Sequence, residues 1–112
     1  MSAAFRSFRV ARKVIESECI TSFYFQPTDG LSLWNFKPGQ YLTFQIPLEK
    51  QAVLKTYSLS SDASTVDYHR ITVKRETGID GAPDGVGSSW LHDHLEVGEE
   101  IQIAPPRGTF FK

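Results

Sequence analysis

A single cysteine, Cys19, stands in a chain of 112 residues. One thiol cannot close an internal disulfide or furnish a thiolate-rich metal site, so neither device is available to this fold, and no metal is expected. Cys19 reads as a small, half-buried strand residue rather than a nucleophile. An excess of one charge is also missing, since 12 Lys and Arg stand against 13 Asp and Glu and leave a formal net charge of −1. That balance gives no electrostatic reason to expect nucleic acid or an anionic membrane as partner. No apolar run is long enough for a signal peptide or a bilayer span, and the expectation is a cytoplasmic location. Internal repeats and low-complexity tracts are absent. What remains is a composition of 40% hydrophobic and 22% charged residues, that of an ordinary soluble globular chain, with a length suited to one domain over residues 1–112 and a single core.

Within that domain the apolar residues alternate far more often than they recur at helical spacing. The stretch from Phe8 to Ser17 is rich in β-branched and aromatic residues but alternates imperfectly, and it predicts a first strand. Ile20 to Gln26 predicts a second, ended by Pro27 and the turn-forming Asp29-Gly30, and the short link from Glu16 to Cys19 makes the pair a hairpin. Leu31 to Pro38 has no period and reads as a loop pinned by Trp34 and Phe36. Tyr41 to Ile46 alternates cleanly, with Leu42, Phe44 and Ile46 inward. After a polar connection from Pro47 to Leu54 come strands at Lys55 to Leu59 and at His69 to Arg75. Thr77 to Val86, rich in glycine, reads as a surface loop. Ser88 or Ser89 can cap the one helix, whose Leu91 and Leu95 are four apart and share a face, and Gly98 ends it. Glu100 to Ala104 predicts a last strand, stopped by Pro105-Pro106. About six short strands and one helix predict an all-β domain, a six-stranded antiparallel barrel with Greek-key order and a short capping helix.

Two stretches carry chemistry. In Lys55-Thr56-Tyr57-Ser58 a flat ring lies two residues from an ammonium, which suits a planar ligand that carries phosphate. Strict alternation sends Tyr57 and Ser58 to opposite faces, so one ligand touches both only at a strand end or a sheet edge. In Gly85-Val86-Gly87-Ser88-Ser89 glycines lead into a helix N-terminus, where free N–H groups and the helix dipole make an anion seat. Either motif alone reads equally as a solvated strand face or as a flexible turn with an ordinary cap.

Taken in order, Pro38-Gly39-Gln40-Tyr41, Lys55-x-Tyr57-Ser58, Val73-Lys74-Arg75, Gly85-x-x-Ser88-x-x-Leu91, Val97-Gly98-Glu99 and Pro106-x-Gly108-x-Phe110 resemble the FAD-binding domain of the ferredoxin-NADP reductase superfamily. The resemblance is nearest to the reductase half of flavohaemoglobins and related NADH-dependent flavoproteins, and it runs through roughly residues 8 to 111. It implies roles position by position. Tyr57 would lie against the isoalloxazine ring, and Ser58 would serve as the catalytic residue near its N5 edge. Lys55, beside Thr56, would meet the pyrophosphate, and Gly87, Ser88 and Ser89 would bind the phosphates. Val73 and Lys74 would offer main-chain groups to the flavin, and Tyr41 would touch the dinucleotide. The family's arginine is replaced by Lys55, which keeps the charge without the planar bidentate fork and so holds a diphosphate less tightly. FMN is therefore the alternative cofactor, and FAD is preferred because the phosphate loop is intact.

The same resemblance implies NAD(P)H as co-substrate, held mainly by a nicotinamide-binding domain that would follow this chain, and a haem or iron–sulfur domain as electron acceptor. Without the nicotinamide-binding half, the isolated domain is expected to bind flavin weakly and to oxidise NADH poorly. Two other readings stay open: a flavin-less barrel serving as an interaction scaffold, and an oligonucleotide-binding barrel, which the absent basic balance disfavours. His92-Asp93-His94 reads as helix-surface polarity, since neighbours two apart on a helix do not share a face.

Overall fold

Alternation dictates the architecture. A computed structural model of the chain describes residues 5–48, 51–62, 64–65, 67–76 and 86–108. In chain order its elements are β1 (Arg6–Ile15), β2 (Ile20–Pro27), β3 (Tyr41–Pro47), β4 (Ala52–Ser58), β5 (His69–Lys74), α1 (Val86–His94) and β6 (Glu100–Arg107). The strands form one antiparallel sheet in the order β4-β3-β6-β1-β2-β5. Among the described residues no ladder joins the edge strands β4 and β5; just past the end of β4, Leu59 bridges Ile71, and the Ser60 N–H donates to the Arg70 carbonyl at 2.8 Å. The six-stranded all-β expectation holds, but the sheet is not closed into a full barrel, because no ladder joins β4 to β5 among the described residues. No helix among the described residues is long and apolar enough to cross a membrane.

Inward positions of the alternating strands make the core. Leu42, Phe44 and Ile46 of β3 are fully buried, as are Phe23 and Phe25 of β2 and Ile71 and Val73 of β5. Leu91 and Leu95 cap this core from one end, as their spacing predicts. The imperfect alternation of β1 has a cause: its register against β2 shifts between Val10 and Arg12, so Ala11 is an extra residue that flips the facing of the residues after it.

Several boundaries depart from the sequence expectation. β6 runs through Pro105 and Pro106 to Arg107, because the prolines coincide with a register shift against β3, where the ladder asks for no N–H. β4 starts at Ala52, three residues before Lys55, because pairing with β3 extends to Pro47↔Ala52. Helix α1 begins at Val86, which puts Ser88 and Ser89 inside its first turn rather than at the cap. Cys19 lies in the β1–β2 turn and not in a strand. Most of the loop expected over Thr77 to Val86, residues 77–85, lies outside the described residues, as does Phe110 of the terminal motif.

Candidate functional site

The gap between the two edge strands is where the chemistry-bearing residues meet. An open cavity of about 360 Å³ is walled by Lys55, Thr56, Tyr57 and Ser58 on one side and by Thr72, Lys74, Glu76 and Ser88 on the other. Tyr57 and Ser58 point to different faces of β4, yet both line it, because β4 is an edge strand and Ser58 its last residue. A cavity that wraps around an edge reaches both faces.

Helix α1 closes one end of the cavity, and its placement depends on Gly87. A Cβ there would lie 2.7 Å from Cγ of Lys55, 3.2 Å from Oη of Tyr57 and 3.3 Å from Cδ1 of Ile46. Only glycine lets the first helical turn rest on the lysine stem and the tyrosine. Polar contacts among the described residues then hold α1 to the end of β5. The Glu76 N–H donates to Oγ of Ser88 at 3.0 Å, Nε2 of His92 donates to the Val73 carbonyl at 2.8 Å, and the Arg75 guanidinium pairs with the Asp93 carboxylate. At the opposite end, Nζ of Lys13 donates to the His92 carbonyl and to Glu96, a cation where the helix dipole is negative.

Tyr57 is half-buried, with its ring edge-on to Phe44 at 5.8 Å. Burial raises its phenol pKa, and the Glu76 carboxylate raises it further, so the group stays a protonated hydrogen-bond donor at neutral pH. The Arg75 hydrogen bond lowers the Asp93 carboxyl below the usual range. Around the cavity two ammonium groups, Lys55 and Lys74, face one carboxylate, Glu76, a balance that favours an anion. The hydroxyls of Thr56 and Ser58 supply donors, whereas Thr72 gives its proton to Ser22, whose own goes to the Glu16 carboxylate. The Ser89 hydroxyl is buried and has no hydrogen-bond partner among the described residues. An orphaned donor beside a helix N-terminus, a side-chain-free glycine and paired cations together fit a planar group with a phosphate tail.

The family model described as the oxidoreductase FAD-binding domain matches residues 7–111. This chain belongs to that family. Among curated relatives, the flavohemoprotein of Bacillus thuringiensis subsp. konkukian is 47% identical over 108 residues, which is 95% of this chain and 26% of the relative. The FAD-binding domain thus spans about a quarter of the curated relatives it matches. Among solved structures, the flavohem-like FAD/NAD binding domain of nitric oxide dioxygenase from Vibrio cholerae superposes with a TM-score of 0.84 at 36% identity, over 96% of this chain and 45% of that one. Phthalate dioxygenase reductase, a module for electron transfer from pyridine nucleotides to [2Fe-2S], gives a TM-score of 0.80 at 28% identity, over 97% of this chain and 32% of that one.

Against this FAD-binding domain, the residues nominated from sequence fall into two groups. Lys55, Thr56, Tyr57, Ser58, Lys74 and Ser88 all line the one cavity. Gly87 lies just behind it against Lys55 and Tyr57, and Ser89 beside it in the same turn. Val73 turns its side chain into the core, and its carbonyl already accepts the His92 hydrogen bond. Tyr41 pairs with Ser58 across β3 and β4, its ring 3.2 Å from where a Cβ on Gly108 would be, so it stands at the cavity's flank. Thr72 and Glu76 line the cavity without having been nominated. Alternation from Lys74 points to Thr72, whereas nothing local marks Glu76. His92 is no surface residue either: it is half-buried, and its Nδ1 lies 3.3 Å from the Thr21 hydroxyl.

The close approach at Gly87 makes a prediction. Gly87→Ala must push the Lys55 stem away from its place, and FAD affinity is expected to fall about tenfold, the worth of one charge-assisted contact. Absorption titration checks it, and unchanged affinity would show that the turn has room to spare.

Proposed function

We propose that this domain holds FAD along the β4–β5 gap, as the flavin-carrying part of an NAD(P)H-dependent oxidoreductase that delivers electrons to a haem or iron–sulfur acceptor. Bound FAD supplies hydride acceptance from a nicotinamide and release of electrons one at a time. The chain's own residues bind and orient. Tyr57 offers a flat, half-buried surface for the ring, and Ser58 offers a hydroxyl at the strand end where the reactive edge would lie. Lys55, the Gly87–Ser89 turn and the α1 dipole would hold the phosphates, while Thr72 and Lys74 would face the ring and ribityl chain from the other wall. The observation that carries this reading is one continuous cleft joining Tyr57 to Ser88. Nicotinamide binding is assigned to a neighbouring domain, the acceptor to a haem or iron–sulfur domain, and the setting to the cytoplasm. FAD is preferred over FMN because the glycine-led helix turn and Lys55 together offer positive potential for more than one phosphate.

The test is a titration of the purified chain with FAD and with riboflavin, which lacks phosphate. FAD is expected to shift the flavin absorption bands. Lys55→Ala is expected to weaken FAD about tenfold while leaving riboflavin within about twofold, because an ammonium–phosphate contact is worth roughly 1.5–3 kcal/mol. A chain that leaves the FAD spectrum unmoved would instead be a flavin-less barrel scaffold.

A further inference from the structure

Resting on the FAD reading, we propose that His92 is a positioning residue of the cofactor cleft, which fixes how far the phosphate-binding helix turn stands from the strand that flanks the ring. Its Nε2 lies 2.8 Å from the Val73 carbonyl, a group that only accepts, so Nε2 carries the proton. Nδ1 then accepts from the Thr21 hydroxyl at 3.3 Å, and Thr21 is itself buried. One ring therefore ties α1 to both β5 and β2. Its two ends matter for the cleft. Ser88 is four residues before His92, so the two share a face of the helix, and Ser88 lines the cavity. Val73 sits between Thr72 and Lys74, which line the same side of the cavity as Ser88.

Other contacts between α1 and the end of β5 are more peripheral. The Glu76 N–H reaches Ser88 from beyond the end of β5, and the Arg75–Asp93 pair is partly solvated. Among the described residues, the His92 bond reaches β5 itself at the buried Val73, beside the apolar packing of Leu91. Loss of it frees the helix turn to shift against Thr72 and Lys74. The ring platform of Tyr57 and Ser58 belongs to β4, which is held by its ladder with β3, and the helix turn meets it at the Lys55 stem and the Tyr57 hydroxyl rather than at the ring face. The affected quantity is thus mainly the extra affinity that phosphate groups add, and much less the affinity for the ring.

Fluorescence titrations of the purified chain with FAD and with riboflavin separate the two. His92→Leu is expected to weaken FAD about tenfold and riboflavin less than about twofold, the loss of one buried hydrogen bond confined to the phosphate side. His92→Gln, whose amide N–H reaches the Val73 carbonyl, is expected to recover most of the loss. Equal weakening of both ligands in His92→Leu, or no weakening of either, overturns the proposal. Should His92→Leu fail to fold, Thr21→Val removes only the Nδ1 partner and is expected to lower the FAD-to-riboflavin affinity ratio about threefold, a fraction of the full effect. An unchanged ratio in that variant overturns the proposal as well. A wild-type chain that binds neither flavin sinks the cofactor reading and this inference together, whereas flavin binding indifferent to His92 sinks the inference alone.

Discussion

Phe44→Ala is expected to lose about 3–5 kcal/mol of folding stability, a large share of the roughly 5–15 kcal/mol that a domain of this size possesses. Phe44 is fully buried, its ring 5.4 Å from Phe25 and 5.8 Å from Tyr57. β3 lies between β4 and β6, so its inward face has no solvent-side route by which neighbours could close the void. Removing the ring also takes away the support beneath Tyr57, so flavin affinity should fall along with stability. Phe44→Leu keeps most of the volume and should cost about 1–1.5 kcal/mol. Urea denaturation of the three proteins measures this, and a loss below about 1 kcal/mol for the alanine variant would mean that the barrel interior repacks freely.

Acid should destabilise the domain well before its carboxylates titrate, through His69. This side chain is fully buried in a box of Phe8, Trp34 and Phe36, with its Nε2 accepting the Trp34 backbone N–H at 3.2 Å and its Nδ1 without a partner among the described residues. Burial, and after it the positive charge of Arg6, lowers its pKa to about 4. The unfolded chain titrates near 6.5, so between those values it binds a proton that the native state refuses. Stability therefore rises with pH across that window. It is complete above about 6.5, declines by about 2–3 kcal/mol as pH falls towards 4, and levels off below. Asp29, hydrogen-bonded to Arg6 and lowered to about 2, contributes in a separate window, losing its stabilisation as pH falls from 3.8 through 2. Denaturation midpoints at pH 7 and pH 4.5 test the account. His69→Phe should flatten the limb above pH 4, and an equally steep limb in that variant would rule out His69 as its source.

How much of this was legible beforehand varies residue by residue. Leu42, Phe44 and Ile46 alternate without interruption and are all buried, while Leu91 and Leu95 repeat at helical spacing and cap the core. Such periods report facing directly, because side-chain direction follows backbone geometry. Lys55, Tyr57 and Ser88 were nominated by motif order, and they line one cavity. Boundaries were less legible. Pro105-Pro106 ends a strand by its local chemistry, yet β6 continues because the partner strand is irregular at that level. His92 looked like surface polarity, because helical spacing relates it to Ser88 and Glu96 but is silent about Thr21 and Val73, which come from other strands.

The amino-acid sequence by itself determined that the described residues make an all-β sheet with a capping helix, and that a cation, a ring and a glycine-led helix turn belong to it. Those are properties of neighbours along the chain, set by side-chain period and backbone freedom. The tertiary structure alone decided that β4 and β5 are the two edges of one sheet, linked just beyond the end of β4 where Leu59 bridges Ile71. The opening between them brings Thr72 and Glu76 opposite Tyr57 and lets both faces of β4 serve one cleft. Strand order arises from contacts between residues far apart in the chain, whose energies depend on what each surface can bury, and no local pattern encodes it.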